Sequence, residues 1–485
     1  VDEDEQSGNA RSGGPDGDGR ASGPGPRPRA GGVRGFLRDG PPLGPTRPAF
    51  WRSPLRGPRL TSLLGAVLLV GLPVLFLTGL LSHAAYNPDL GANDRTPGKG
   101  VLGFYLFPWP TDPPWLYRLT QGVHVTLGVT LVPVLLAKLW SVVPLLFRWP
   151  PVRSAAQTLE RLSLLFLVGG ALFVFATGIL NIQLEYLFPG SFYPLHFYGS
   201  WVFVAALLSH IVLKLPTVVR ELRGRGLRDT RSGPAARPRD GDGDGNGEAD
   251  GSGDGGTNGL GDRDADGARD ANGLVAPDPD PPTASRRTLL GAVGLGSSVL
   301  LLTTVGQSLG GPLRRTAVMA PHGRLSEGGA DGFPVNTTAA YAGVTDADTG
   351  PGWRLTVRWR GREVVLTRRE LLALPQHRSA LPIACVEGWS TRALDWEGVR
   401  LADLAALVGA EGPPGVFVES AQRTGAFSSA ALRDNQVADP RSLLALRVGG
   451  GDLSVDHGYP ARVIVPACPG VHNTKWVTRL GFGEV

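Results

Sequence analysis

Apolar residues fall in long unbroken runs through the first half of the chain and in short alternations through the last third, with a polar, glycine-rich stretch between them. The run at 60–83 (LTSLLGAVLLVGLPVLFLTGLLSH) is long enough to cross about 30 Å of hydrocarbon as a helix. Three more runs, 119–147, 162–182 and 192–215, predict three further spans. Arg52, Arg56 and Arg59 precede the first, Arg148, Arg153 and Arg161 lie between the second and third, and Arg220, Arg223, Arg225, Arg228 and Arg231 follow the fourth. All of these fall on one side of a four-span bundle, which makes that side cytoplasmic. Trp109, Trp115 and Tyr117, between the first two runs, read as an interfacial aromatic belt.

The pattern then changes. From 233 to 282 the chain is Asp/Gly-rich and lacks the apolar residues of a core. Asp240, Asp242, Asp244 and Gly245 open like a calcium loop, but Gly251 stands where the closing carboxylate belongs, so a solvated linker is expected. Ser285, Arg286 and Arg287 introduce a fifth apolar run ending near Leu309, whose paired arginines fit a twin-arginine export signal and also the ordinary positive-inside bias. Beyond it, Trp353, Leu355, Val357 and Trp359 alternate with Arg354, Thr356 and Arg358, predicting a strand that turns at Gly361 into a second at 363–366. A short helix at 401–408 and a strand at 461–465 between Pro460 and Pro466 complete a mixed α+β domain. The expected organisation is a disordered cytoplasmic tail (1–58), a helical membrane bundle (59–218), a disordered cytoplasmic linker (219–284), a fifth transmembrane helix (285–310), a tether (311–330) and an extracytoplasmic domain (331–485).

Composition adds little by itself, since an apolar share of 42% averages three unlike regimes. The net charge of +5 arises from 48 basic and 43 acidic residues, and the basic ones cluster beside the apolar runs rather than in a nucleic-acid motif. Two cysteines in 485 residues exclude a disulfide framework.

Histidines inside apolar runs are costly unless they have a partner. His124 and His196 each lie one turn into a descending span, at matching depth, where two neutral imidazoles on facing helices suit a haem iron. Gly128 and Gly199 are expected to leave room for the macrocycle. His210 follows His196 by fourteen residues, about 21 Å of helical rise on nearly the same face, a spacing that suits two stacked haems. Only Lys138, a poor ligand while protonated, offers a partner, so one haem is expected, with a second of incomplete ligation as the alternative. These residues, over about 60–218, resemble the four-helix diheme cytochrome b family, which implies haem b and exchange of electrons with the membrane quinone pool or another redox carrier.

Cys385 ends an apolar stretch and is followed by Glu387, Gly388 and Trp389. No Cys-x-x-Cys pair supports thiol exchange and no histidine cluster supports zinc, which leaves a soft metal ligand or a buried thiol. The segments ACVEGWS (384–390), DWEGVRL (395–401), HGYPARVIVP (457–466) and NTKWV (473–477) resemble the molybdopterin-binding domain of the sulfite oxidase family, over about 332–485, and FPVNTT (333–338) resembles its first cofactor-contacting segment. The resemblance implies a molybdenum held by a pyranopterin and by the Cys385 thiolate. It also implies cofactor contacts from Asn336, Thr337, His377, Arg462, Asn473, Thr474 and Lys475, and a small oxygen-atom donor or acceptor as substrate. Cys468 departs from the pattern. Together the two resemblances predict a membrane-bound molybdenum oxidoreductase wired to the bilayer through haem; the alternative is an electron-transfer or binding protein whose C-terminal domain is catalytically inert.

Overall fold

The computed structural model describes residues 44–94, 107–149, 154–182, 192–228, 274–276, 278–309, 311–320, 331–410, 412–425 and 427–485. The Asp240–Gly251 motif lies outside them.

Five helices are long and apolar enough to cross a membrane. They are α1 (Pro58–Ala84), α2 (Leu116–Leu146), α3 (Ala155–Asn181), α4 (Phe192–Arg228) and α5 (Arg286–Leu302). Leucines and valines such as Leu69, Val70, Leu165 and Val212 stay exposed along them, as expected of surfaces solvated by lipid. Helix α1 packs on α2, α3 on α4, and α5 against α2. Starts follow local chemistry. Ser154 caps α3 by accepting from the Gln157 amide (3.2 Å), and Ser285 caps α5 by accepting from the Thr288 amide (3.0 Å), so the paired arginines occupy its first two positions.

Residues 44–57, expected to be disordered, instead fold against the bundle end that lies away from the C-terminal domain. Arg56 lies over the Trp140 ring at 4.2 Å, and the Trp51 carbonyl accepts from the Ala276 amide at 2.9 Å. Leu274, Val275 and Ala276 of the expected linker are buried there, and Arg52 pairs with Asp280 at 2.7 Å.

The C-terminal domain holds two five-stranded sheets. The first has the order β2-β1-β10-β5-β6, with β1 (Arg354–Trp359), β2 (Arg362–Thr367), β5 (Val416–Ser420), β6 (Ser429–Leu432) and β10 (Val477–Phe482). The second runs β3-β4-β7-β8, with β9 (Arg462–Ile464) also paired to β7; its other strands are β3 (His377–Leu381), β4 (Leu394–Arg400), β7 (Leu443–Val448) and β8 (Gly451–Asp452). Leu355, Val357, Val418, Leu444, Leu446, Val463 and Leu480 are fully enclosed between them. The alternation at 353–359 thus faces a core, as its pattern predicts.

The domain sits directly on the bundle. The Ser308 hydroxyl donates to the Gly388 carbonyl (2.6 Å), the Ser390 amide donates to the Gln307 carbonyl (3.0 Å) and Arg314 donates to the Ser390 carbonyl (2.7 Å). The expected tether therefore begins as a short 3-10 helix, Gly311–Thr316, clamped between the two parts. The aromatic belt is likewise replaced by anchors. Trp109 is fully buried with its indole donating to the Ala467 carbonyl (2.7 Å), and Tyr117 is buried beside Ala384, while Trp115 stays half exposed.

Candidate functional site

Cys385 lies four residues past β3, in a loop built to present it. Its amide donates to the Trp389 carbonyl (2.8 Å) and its carbonyl accepts from the Gly388 amide (3.1 Å), closing a tight turn. Gly388 has φ +92°, and a Cβ there would come within 2.9 Å of Val125 on α2, so only glycine fits both the turn and the contact. The Gly470 amide binds the Ala384 carbonyl (2.7 Å), pinning the 469–473 loop beside the cysteine. Cys385 is 3% exposed, and desolvation, followed by the Glu387 charge, pushes its thiol well above the usual range. A thiol in such surroundings ionises when a cation replaces its proton.

Of two neighbouring buried cations, Lys475 is close enough for its charge to act on the Cys385 thiol. Gly458 (φ +108°) lets Arg462 and Lys475 close in, since a Cβ at this glycine would meet both of their Cβ atoms at 3.0–3.1 Å. Lys475 Nζ donates to the carbonyls of Thr337 (2.7 Å) and Asp456 (2.8 Å), and Arg462 donates to those of His457 (2.9 Å) and Asn473 (3.0 Å). Burial, then the neighbouring Arg462 charge, lowers Lys475 to about 7; burial lowers Arg462 to about 9. Held by carbonyls rather than carboxylates, both are left to pair with an anion, whose charge would restore the protonated form of Lys475. Arg462 Nε and Thr474 Oγ1 are buried with no hydrogen-bond partner among the described residues. Asn473 Oδ1 accepts from the Val465 amide (2.9 Å) and so shapes the loop. This donor set fits a phosphate-bearing cofactor.

The other expected residues are placed differently. Asn336 is exposed and Thr337 reaches the cluster through its carbonyl. His377 opens β3, at the far end of the strand from the Cys385 loop, and pairs with Asp403 at 3.1 Å; it does not join the cluster. The sequence reading missed His457, which is fully buried, bonded through Nδ1 to Asp331 (2.8 Å) and stacked on Phe333 at 3.8 Å. Its place at the head of HGYPARVIVP was the available signal.

Within the bundle, His124 and His196 lie with ring centroids 6.0 Å apart and planes at 84°. Each Nδ1 donates to a backbone carbonyl of the preceding helix, His124 to Leu75 (2.9 Å) and His196 to Val174 (3.0 Å), with Thr78 and Thr177 Oγ1 each 3.3 Å away. That bond leaves each Nε2 as the lone-pair nitrogen, the tautomer a metal takes. Gly79 and Gly178 make the notches, because a Cβ at either would lie 3.0 Å from the imidazole Cε1. The segments LFLTGLL (75–81) and VFATGIL (174–180) thus repeat one histidine seat, a signal the sequence reading passed over. Gly128 lines the cavity between the hairpins, whereas Gly199 faces Phe173 on the other side, so only the first leaves room where expected. That cavity, about 740 Å3, also reaches Lys138 and His210 at one end and Tyr86 and Val386 at the other. Lys138 Nζ donates to the Thr61 carbonyl (2.6 Å) beside Gly65. Among the described residues no group of three or more His, Cys, Asp or Glu side chains is placed to hold a metal ion. The bundle therefore offers a pair of imidazoles and the domain a single thiolate.

The two parts meet at these sites. Gln121, one turn before His124, donates to the carbonyl of Val386, the residue after Cys385.

The profile of the oxidoreductase molybdopterin binding domain matches residues 341–484, which leaves 333–338 outside the match. An uncharacterized oxidoreductase of Bacillus subtilis, YuiH, is 29% identical over 119 residues, covering 24% of this chain and 59% of that protein. The mitochondrial sulfite oxidase of Drosophila melanogaster is 30% identical over 152 residues, 26% of each. The sulfane dehydrogenase SoxCD from Paracoccus pantotrophus aligns over 28% of this chain and 39% of its own, at 24% identity and a TM-score of 0.26. The chain thus spans little more than half of the first relative and about a quarter of the second. It carries a C-terminal molybdopterin-binding oxidoreductase domain related to the sulfite oxidase family, preceded by several apolar helices.

Proposed function

We propose that the chain is a membrane-bound molybdenum-dependent oxidoreductase whose oxygen-atom chemistry would be supplied by a molybdenum held by Cys385, with electrons exchanged with the membrane through a b-type haem held by His124 and His196. One observation carries the wiring: the loop that presents Cys385 is bonded to α2 through Val386 and Gln121, one turn from His124. When bound, the molybdenum pterin supplies two-electron oxygen-atom chemistry and the haem supplies one-electron transfer. The residues divide the remaining work. Cys385 holds the metal as thiolate, while Arg462, Lys475 and Thr474 enclose the pterin phosphate, Asn473 shapes their loop, and Asn336 and Thr337 flank it. The Nε2 atoms of His124 and His196 hold the iron, with Thr78-Gly79 and Thr177-Gly178 orienting the rings.

The arginines of the far end and the first positions of α5 support a cytoplasmic location for that end and an extracytoplasmic one for the domain. Arg286 and Arg287 serve either that bias or recognition by twin-arginine export machinery. His210 and Lys138 stand fourteen residues beyond His196 and His124 and line the same cavity, but Lys138 Nζ donates to the Thr61 carbonyl, so a second haem there would be incompletely ligated and one haem is the reading adopted. The electron partner is the quinone pool or another membrane carrier, and the substrate a small oxygen-atom donor or acceptor.

Metal and pterin analysis of detergent-purified chain tests this reading, with about one molybdenum and one haem iron expected per chain. Cys385→Ser should lose molybdenum and turnover and keep the haem spectrum. Retained turnover would remove the ligand role and leave the domain an inert partner of an electron-transfer bundle.

A further inference from the structure

His83 has no part in either site described above. It lies near the end of α1, 5% exposed, and lines the same cavity as His124 and His196. Its Nδ1 is 2.6 Å from the Tyr193 hydroxyl, and its ring lies 4.5 Å from that of Phe197, the neighbour of His196, at 30°. Its Nε2 is buried with no hydrogen-bond partner among the described residues. A buried imidazole nitrogen left unbonded is costly, so a ring clamped on one side by Tyr193 and Phe197 and open on the other is built for a ligand in the cavity. The position narrows the choice. Gly79, the notch that seats His124, precedes His83 by one turn, so His83 is displaced by about 6 Å along the helix toward the C-terminal domain and faces the same way. A haem held by His124 and His196 would occupy the cavity that His83 also lines, and the polar groups on the edge of a b-type haem are carboxylates.

We propose that His83, oriented by Tyr193, donates from Nε2 to a rim carboxylate of the haem and so fixes its rotation in the cavity and raises its midpoint potential. The inference rests on the haem reading above. With the Tyr193 hydroxyl donating to Nδ1, Nε2 carries the proton and matches a carboxylate acceptor. Removing that donor leaves the carboxylate charge less compensated in a medium of low dielectric, and the uncompensated charge favours ferric over ferrous iron.

The test is potentiometry and resonance Raman on the full chain in detergent. His83→Leu should retain haem and its low-spin bis-imidazole spectrum, shift the midpoint potential downward and move the carboxylate bending band; His83→Gln, whose amide can donate, should recover part of the shift. Tyr193→Phe, which frees the His83 ring without touching its Nε2, should shift the potential in the same direction by less. Unchanged potential and carboxylate band in His83→Leu overturn the proposal. So does a His83→Leu protein with wild-type potential that is no longer reduced by a quinol analogue, which would make His83 a quinol ligand. A wild-type chain that purifies without haem refutes the haem reading itself, a result distinct from either.

Discussion

Cys385 and Cys468 are both buried thiols, and their neighbours give them different work. Cys468 is packed in the main core, where Gln436 Nε2 donates to its sulfur at 3.0 Å and burial pushes the thiol up. Cys385 sits in a glycine-dependent turn, and the charge of Lys475 acts on its thiol. Cys468→Ala should therefore keep molybdenum and turnover while costing about 1–3 kcal/mol, because the fully buried Gln436 loses a partner; metal analysis and thermal unfolding check both halves. The placement of Cys385 just past a strand was legible in its motif, since a strand end followed by Glu-Gly-Trp is a local feature. The placement of His377 was not legible, because strand register and the Asp403 partner decide it.

At the scale of elements, helix length and apolarity marked five spans, and the residues that seat the histidines were written in plain view as a repeated Thr-Gly. Depth alone pointed to Gly128 and Gly199, but rotation about the helix axis turns Gly199 toward Phe173. A notch acts on the neighbouring helix, so it is recognised only when the facing helix is known. Gly79→Val should displace the His124 ring, since even the first added carbon lies 3.0 Å from Cε1, and on the proposed haem reading abolish the low-spin haem spectrum with helix content unchanged. Gly128→Ala is the control: its Cβ would stand 3.8 Å from Leu75 and the spectrum should survive. Circular dichroism beside the haem absorption spectrum separates the outcomes.

At the scale of the whole molecule, the domain is seated on the bundle by a broad polar and aromatic contact. Besides Trp109, Asn93 exchanges hydrogen bonds with Ala431 at 2.8 Å in both directions, Asn87 donates to Gln436 (3.2 Å), and Arg441 pairs with Asp112 (2.8 Å). Trp109→Ala empties a fully buried indole site and should weaken docking by about 3–5 kcal/mol. Faster proteolysis between bundle and domain is expected and, on the proposed function, slower haem reduction by substrate with the separate haem and molybdenum signals unchanged.

The chain's own order of residues settled what depends on neighbours in sequence: the five spans, the strands at 354–359, 362–367 and 462–464, the cysteine motif and the depth of the histidines. Tertiary structure alone decided that Trp109 and Tyr117 are anchors rather than a belt, that 311–316 is a clamp rather than a loose tether, and that His83 is left with an open nitrogen beside the histidine pair. The physical reason is the same in each case. Apolarity and turn chemistry act within a few residues, whereas a hydrogen-bond partner or a glycine notch is supplied by chain tens to hundreds of residues away, and only the packed arrangement brings it into reach.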